Sequence, residues 1–376
     1  MAGIYIHIPF CRRKCHYCNF FSVASLKHKQ QFLDALREEI MLQYDYLSGQ
    51  RVQSIYLGGG TPSLLEPAEI YLILEEIRKN FTLSDDPEIT LEANPDDIDK
   101  LRISEYLKAG INRISIGIQS FDDADLVYLN RIHSSSQSLN AIMESQDAGC
   151  SNISIDLIYG IPRLTAEKWE ETLEIALNMG VQHISAYSLT VEPKTALDVL
   201  IRKKTLPAPE EEAIVDHFRI LLLKMKEKEW IHYEISNFCR DGFFSRHNSM
   251  YWNGEHYLGL GPSAHSFNGI TRQWNVSGIQ QYIDKIRRRE RWFDFEILTL
   301  EQKYNEYVMT SLRTMWGCDP AKIRKEFGKE FGSRFSSLGS RYIKIGQMMK
   351  KNGIYFLTDE GKLFADGIAS DFFITG

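Results

Sequence analysis

Ile4-Tyr-Ile-His-Ile-Pro-Phe-Cys11-Arg-Arg-Lys-Cys15-His-Tyr-Cys18 stands at the head of the chain. Ile4–Ile8 reads as a strand, and the proline after it opens a loop that carries three cysteines. A strand followed at once by a chemistry-bearing loop is how parallel α/β barrels build their sites. Further short apolar runs at Ser54–Leu57, Glu88–Glu92, Arg113–Ile118, Ile153–Ile158 and His183–Leu189 predict strands. Amphipathic stretches near 28–48, 66–79, 98–108, 122–130, 136–148 and 166–178 predict helices between them. The strands are rich in Ile, as expected where helices cover both faces. Strand and helix alternating every 30 residues or so imply right-handed βαβ units and a parallel sheet. Six such units predict a partial (β/α)6 TIM-like barrel, not a closed eightfold one.

The rest of the 376 residues divides in two. Pro207-Ala-Pro-Glu-Glu-Glu212 starts a helix that runs to about Trp230. Residues 232–276 lose periodicity and gather aromatics, Gly and His. After about 278, helical stretches near 299–315, 319–327 and 333–351 precede a short strand and turn at 353–361, a winged-helix-like pattern. The expected domains are 1–230, a connecting and binding region 231–278, and a helical C-terminal domain 279–376. Net charge is −6, from 44 Lys+Arg and 50 Asp+Glu, which gives no global attraction for nucleic acid. No run of about 18 apolar residues predicts a membrane span, and no basic leader precedes the first strand. A cytoplasmic location is the expectation.

Six cysteines are too few for a disulfide-stapled domain. Cys150, Cys239 and Cys318 are scattered, whereas Cys11, Cys15 and Cys18 cluster as metal ligands do. Zinc usually takes four ligands, so a zinc site would have to recruit His16 or His7. Cys15-His16 lacks the spacing of a c-type haem attachment. Three thiolates on a cubane leave one of its four irons open, and Cys-x3-Cys-x2-Cys is the signature of radical S-adenosylmethionine (SAM) proteins, in which SAM chelates that iron. Gly58-Gly-Gly-Thr-Pro62 follows the second strand, where glycines let the backbone approach a ligand. Glu92, Gln119 and Asp156 lie at or near strand ends, and Arg131 follows the fourth. Carboxylates in apolar strands need a partner: a structural ion pair or a ligand's amine and hydroxyls.

These segments resemble the oxygen-independent coproporphyrinogen III oxidase family within the radical SAM superfamily, from about residue 3 to at least 267. The matching stretches are Tyr5-Ile-His-Ile-Pro-Phe-Cys11, Gly58–Pro62, Leu91-Glu-Ala-Asn-Pro95, Gly117-Ile-Gln-Ser-Phe121, Leu129-Asn-Arg-Ile-His133 and Asp156-Leu-Ile-Tyr-Gly160. The resemblance implies a [4Fe–4S] cluster on Cys11, Cys15 and Cys18. It implies SAM among Tyr5, Gly59, Gly60, Thr61, Glu92, Gln119, Arg131 and Asp156, with Tyr17 and Ala186 packed against it. The oxidases carry a fourth cysteine where this chain has Phe20, and an aromatic residue there resembles the haem chaperone branch of the family.

His247-Asn-Ser-Met-Tyr-Trp252 fits the same branch, whose His-Asn-x-x-Tyr-Trp motif binds haem. Imidazole ligates haem iron axially, and Tyr251 and Trp252 offer flat apolar area. Asn248 belongs to the motif, and His265 is an alternative ligand. The competing reading of His247 is a histidine held by structural hydrogen bonds. The resemblance therefore implies a haem chaperone with cluster, SAM and haem, whose partners are an acceptor haemoprotein and, transiently, membrane respiratory proteins, with no nucleic acid. Its C-terminal domain is expected to cover the barrel mouth or dock the acceptor. Two rivals stay open: a coproporphyrinogen oxidase, and a zinc or nucleic-acid module built on the C-terminal domain.

Overall fold

In a computed structural model that describes residues 1–374, all six expected strands form. They are β1 (Ala2–Ile8), β2 (Val52–Gly59), β3 (Leu83–Ala93), β4 (Arg113–Gln119), β5 (Ile153–Tyr159) and β6 (His183–Ser188). They pair in parallel in chain order. Helices Lys29–Leu42, Pro67–Asn80, Lys100–Ala109, Asp123–Tyr128, Ser135–Asp147 and Ala166–Asn178 connect them. Local chemistry sets the helix ends. Asp99 and Thr165 cap the third and sixth by accepting from backbone N–H groups, and Gly110, at φ 113°, closes the third. The first helix stops at Leu42, short of the expected 48.

The stretch expected to be irregular is ordered instead. Residues 231–275 contribute β7 (Ile231–Glu234), β8 (Asn237–Cys239), β9 (His256–Leu260), β10 (His265–Phe267), β11 (Thr271–Asn275) and a short helix Arg246–Trp252. With β12 (Phe293–Ile297) they extend the sheet to twelve strands, in the order β12-β11-β10-β9-β1-β2-β3-β4-β5-β6-β8-β7. β9 runs parallel to β1, pairing Ala2 with His256 and Ile6 with Leu260. The six-unit barrel thus gains a seventh parallel strand on its open side. These elements are three to seven residues long, too short to show a period.

Two hydrophobic cores result. The larger runs from Ala2 to Trp292 and includes helix Ile279–Arg287. Buried Glu39 fastens that part to the first helix: its carboxylate accepts from Tyr282, Trp292, Asn275 and the Gly261 N–H at 2.6–2.8 Å. The smaller core runs from Tyr304 to Phe372. Its helices Leu300–Leu312, Pro320–Glu326 and Lys329–Lys344 carry a hairpin of β13 (Met348–Lys351) and β14 (Ile354–Leu357). The third helix therefore ends before the expected 351, because Gly346, at φ 78°, turns the chain into β13.

The strands are not apolar on both faces. Most Ile residues of β1–β6 are buried under the helices, and Ile158 lines the cavity at the barrel mouth. Tyr5, Tyr56, Glu92, Arg113, Ser115, Asp156, Ser185 and Tyr187 face a cavity of about 310 Å³ inside the barrel. The lumen is polar.

Candidate functional site

The cysteine loop leaves β1 at the C-terminal end of the barrel and is held by backbone contacts from distant segments. Cys11 N–H donates to Val23 O at 3.0 Å, and His16 N–H to Leu129 O at 3.1 Å. Leu197 N–H donates to His16 O at 2.8 Å. The Asn130 amide donates to Lys14 O at 2.9 Å from a left-handed backbone, φ 60°. Next in the chain, the Arg131 guanidinium donates to Asn94 Oδ1 at 2.7 Å, Gly117 O at 2.8 Å and the Cys15 sulfur at 3.4 Å. It places a fixed cation beside the Cys15 sulfur. Burial pushes the Cys18 thiol up, so that sulfur needs a cationic partner to ionise.

Cys11, Cys15 and Cys18, all partly exposed, line one cavity of about 440 Å³. Tyr17, Gly59, Gly60 and Thr61 line it too, as do Glu92, Gln119, Arg131 and Asp156. Every lining residue falls between 11 and 192. The C-terminal helices therefore do not roof this mouth, against the first of the two expectations for them. Tyr5 lies deeper, in the lumen cavity, which shares Gly59, Glu92, Asp156 and Tyr187 with the outer one. Ala186 is buried in β6 and lines neither. Phe20 is 62% exposed and borders both cavities.

The glycine loop admits no side chain. A Cβ on Gly60 would meet Phe10 O at 2.6 Å and Ile8 O at 2.8 Å. One on Gly59, itself at φ 109°, would strike the His7 ring at 2.6 Å. Glu92 accepts from Tyr56 OH at 2.8 Å and Gly59 N–H at 3.1 Å. Burial, with Asp156 nearby, raises its carboxyl to about 7, and burial raises Asp156 to about 6. Gln119 ends β4 at φ 70°, a costly backbone for a non-glycine residue and frequent at ligand sites.

Sequence reasoning missed Arg113. It is 1% exposed, faces the lumen and has no ion-pair partner within 4.0 Å among the described residues. Its charge favours ionised Asp156 and opposes protonation of His247. The signal was available: Arg113, Ser115, Gly117 and Gln119 alternate with Ile along β4, a period-two pattern that marks a second, wet face.

His247 lies inside the barrel, 1% exposed, on helix Arg246–Trp252 at the N-terminal ends of β2 and β3. Glu88 accepts from the backbone N–H groups of Arg246 and His247, both at 3.0 Å. The imidazole bonds Ser54 Oγ through Nδ1 and Tyr251 OH through Nε2, each at 2.9 Å, and stacks on Tyr56 at 5.0 Å. Burial and Arg113 push it down to about 3, so it stays neutral. His265 is exposed on β10.

The donor set suits a cluster better than a single ion. Among the described residues no three His, Cys, Asp or Glu side chains form a group that could hold one metal ion. Three thiols spread around one cavity match a cubane, whose irons are ligated separately. Neither histidine that a zinc site would need lines the cavity: His16 donates from Nδ1 to Tyr128 O at 2.9 Å, and His7 is bonded at both nitrogens, to Phe21 O at 2.8 Å and Tyr5 OH at 3.2 Å. Beside the thiols, the glycine backbone, Glu92, Asp156 and Gln119 make the cavity wall polar.

Residues 5–176 match the radical SAM superfamily. The chain is 32% identical over 376 residues to the heme chaperone HemW of Bacillus subtilis (strain 168), covering 99% of each. To the HemW of Haemophilus influenzae it is 35% identical, covering 96% of this chain and 95% of that one. Among solved structures, the radical SAM coproporphyrinogen III oxidase (HemN) of Escherichia coli superposes with a TM-score of 0.85 at 24% identity, covering 99% of this chain and 89% of that one. That likeness shows the fold. Among the described residues no helix is long and apolar enough to cross a membrane.

Proposed function

The chain belongs to the radical SAM superfamily and, within it, to the HemW family, and on that premise we propose that it binds haem and hands it to an acceptor haemoprotein. The observation that carries this reading is similarity to HemW proteins along the whole chain, and Phe20 in place of the oxidases' fourth cysteine agrees with it. Cys11, Cys15 and Cys18 would hold a [4Fe–4S] cluster, with SAM in the cradle of Gly59, Gly60, Thr61, Glu92, Gln119, Arg131 and Asp156. A cluster and SAM bound there would supply one-electron chemistry at the sulfonium.

The chain's own residues supply position and charge. Arg131 steadies Cys15 and ties the cysteine loop to β4. Gly59 and Gly60 let their loop pack directly on His7, Ile8 and Phe10, which sets the loop backbone at the cavity wall. Glu92 and Asp156, buried and near neutrality, accept hydrogen bonds from a ligand's amine or ribose once ionised. On the haem side His247 is neutral and therefore able to ligate iron, but both its nitrogens are engaged. Haem ligation by His247 thus requires one of these bonds to open, Tyr251 releasing Nε2 or Ser54 releasing Nδ1.

The test is one anaerobically reconstituted sample assayed side by side for haem binding and for coproporphyrinogen decarboxylation, with His247→Ala as control. Haem binding without decarboxylation, weakened in His247→Ala while the cluster's visible absorption stays unchanged, is the expected result. Decarboxylation would assign the protein to the oxidases.

A further inference from the structure

The residues from His247 to Trp252 face two cavities. His247 and Asn248 border the lumen, Trp252 borders a slot of about 370 Å³, and Tyr251 lines both. The slot lies where helix Arg246–Trp252 and strands β9–β11 meet the C-terminal helices Leu300–Leu312 and Pro320–Glu326. Trp252, Tyr307, Met309 and Phe327 form apolar, mostly flat walls.

The charges here are unevenly matched. Among the acids, Glu306 is paired with Arg272 at 2.7 Å and Glu255 accepts from Gln53 at 2.8 Å, while Glu326 is exposed at the rim. Lys303 and Lys322 are half-buried and have no acidic partner within 4.0 Å among the described residues. The Lys322 ammonium sits 4.6 Å above the Tyr307 ring, on the floor of the slot. The Trp252 indole N–H is buried with no acceptor. A flat apolar slot with two unpaired ammonium groups and a spare donor selects a planar, aromatic dianion.

We infer that this slot holds the porphyrin, its ring against Trp252 and its two carboxylates on Lys303 and Lys322. The inference rests on the haem-carrier reading and deepens it. It gives the C-terminal unit a role, since that unit supplies one wall and both ammonium groups. It also puts the ring against the outer side of Tyr251, whose inner side bonds His247.

The experiment is equilibrium titration of the full-length protein with haemin and with haemin dimethyl ester, in wild type, Lys303→Glu/Lys322→Glu and Lys303→Arg/Lys322→Arg. Iron content and melting temperature of each variant report on the cluster and the fold. Reversing both charges should weaken haemin binding about tenfold, from two part-exposed ion pairs lost and their repulsive replacements. The arginine variant should bind like wild type, and the ester should bind weakly and equally to all three. Wild-type haemin affinity in a folded Lys303→Glu/Lys322→Glu variant overturns the slot and leaves the carrier reading standing. Absence of haemin binding by wild type overturns both.

Discussion

Tyr251 OH and His247 Nε2 lie 2.9 Å apart, and that bond closes the histidine off from the slot on the far side of the tyrosine. Ser54 holds the other nitrogen. The imidazole is thus kept neutral and sheltered, with a single side chain between it and the slot.

Removing the latch should therefore speed haem capture. Tyr251→Phe keeps the ring packed against Tyr257, at 4.6 Å between centroids, and deletes only the hydroxyl. Stopped-flow mixing with haemin should show faster association than wild type. Stability should fall by about 1 kcal/mol for the lost buried hydrogen bond. An unchanged or slower rate would show that Tyr251 does not limit access.

Glu92 predicts a pH dependence. Its carboxyl rises to about 7 in the folded chain, above the unfolded value near 4.3. A raised carboxyl contributes stability below its unfolded pKa, and that contribution is lost as pH rises through 7. Without ligand, Glu92→Gln should match wild type at pH 5 and melt higher at pH 8, by roughly 2–3 kcal/mol of stability. SAM affinity of the wild type should rise as pH increases through 7, and the variant should lack that rise. Calorimetric melting and SAM titration across pH 5–8 check both.

Gly60→Ala should fail locally. Its Cβ would press on two backbone oxygens that cannot swing aside. A loss of roughly 2 kcal/mol follows, with SAM binding abolished or weakened far beyond the effect on iron content. Thermal melts and SAM titration of the reconstituted variant measure the two effects.

Glu39→Ala should be among the most damaging substitutions far from the site. It would leave Tyr282, Trp292, Asn275 and the Gly261 N–H without their acceptor inside the core. About 3 kcal/mol or more is expected, seen as a lower urea midpoint, with the cysteine loop untouched.

The barrel strands and the metal-type cysteine cluster were legible because both signals are local. Each Ile-rich run is long enough to read, and Cys-x3-Cys-x2-Cys is a contiguous pattern. The position of His247 was not. Arg246-His-Asn-Ser resembles an exposed loop, and only Ser54 and Glu88, more than 150 residues upstream, make it the floor of the barrel. β9 escaped for a related reason: five residues hold no periodicity that announces a partner such as β1. Arg113 was readable in principle, since polar residues at every second position of β4 mark a wet interior.

The cysteine loop draws its form from Leu129, Asn130, Arg131 and Leu197, and β1 beneath it is flanked on one side by β9. The loop that carries the thiols thus takes its form from residues more than 110 positions further along the chain. A chain carrying all three thiols but ending near residue 100 keeps the Cys11–Val23 contact and lacks those from Leu129, Asn130, Arg131 and Leu197. On the proposed reading, the enclosure of a cluster held by the three thiols would be complete only in a chain that extends through Leu197.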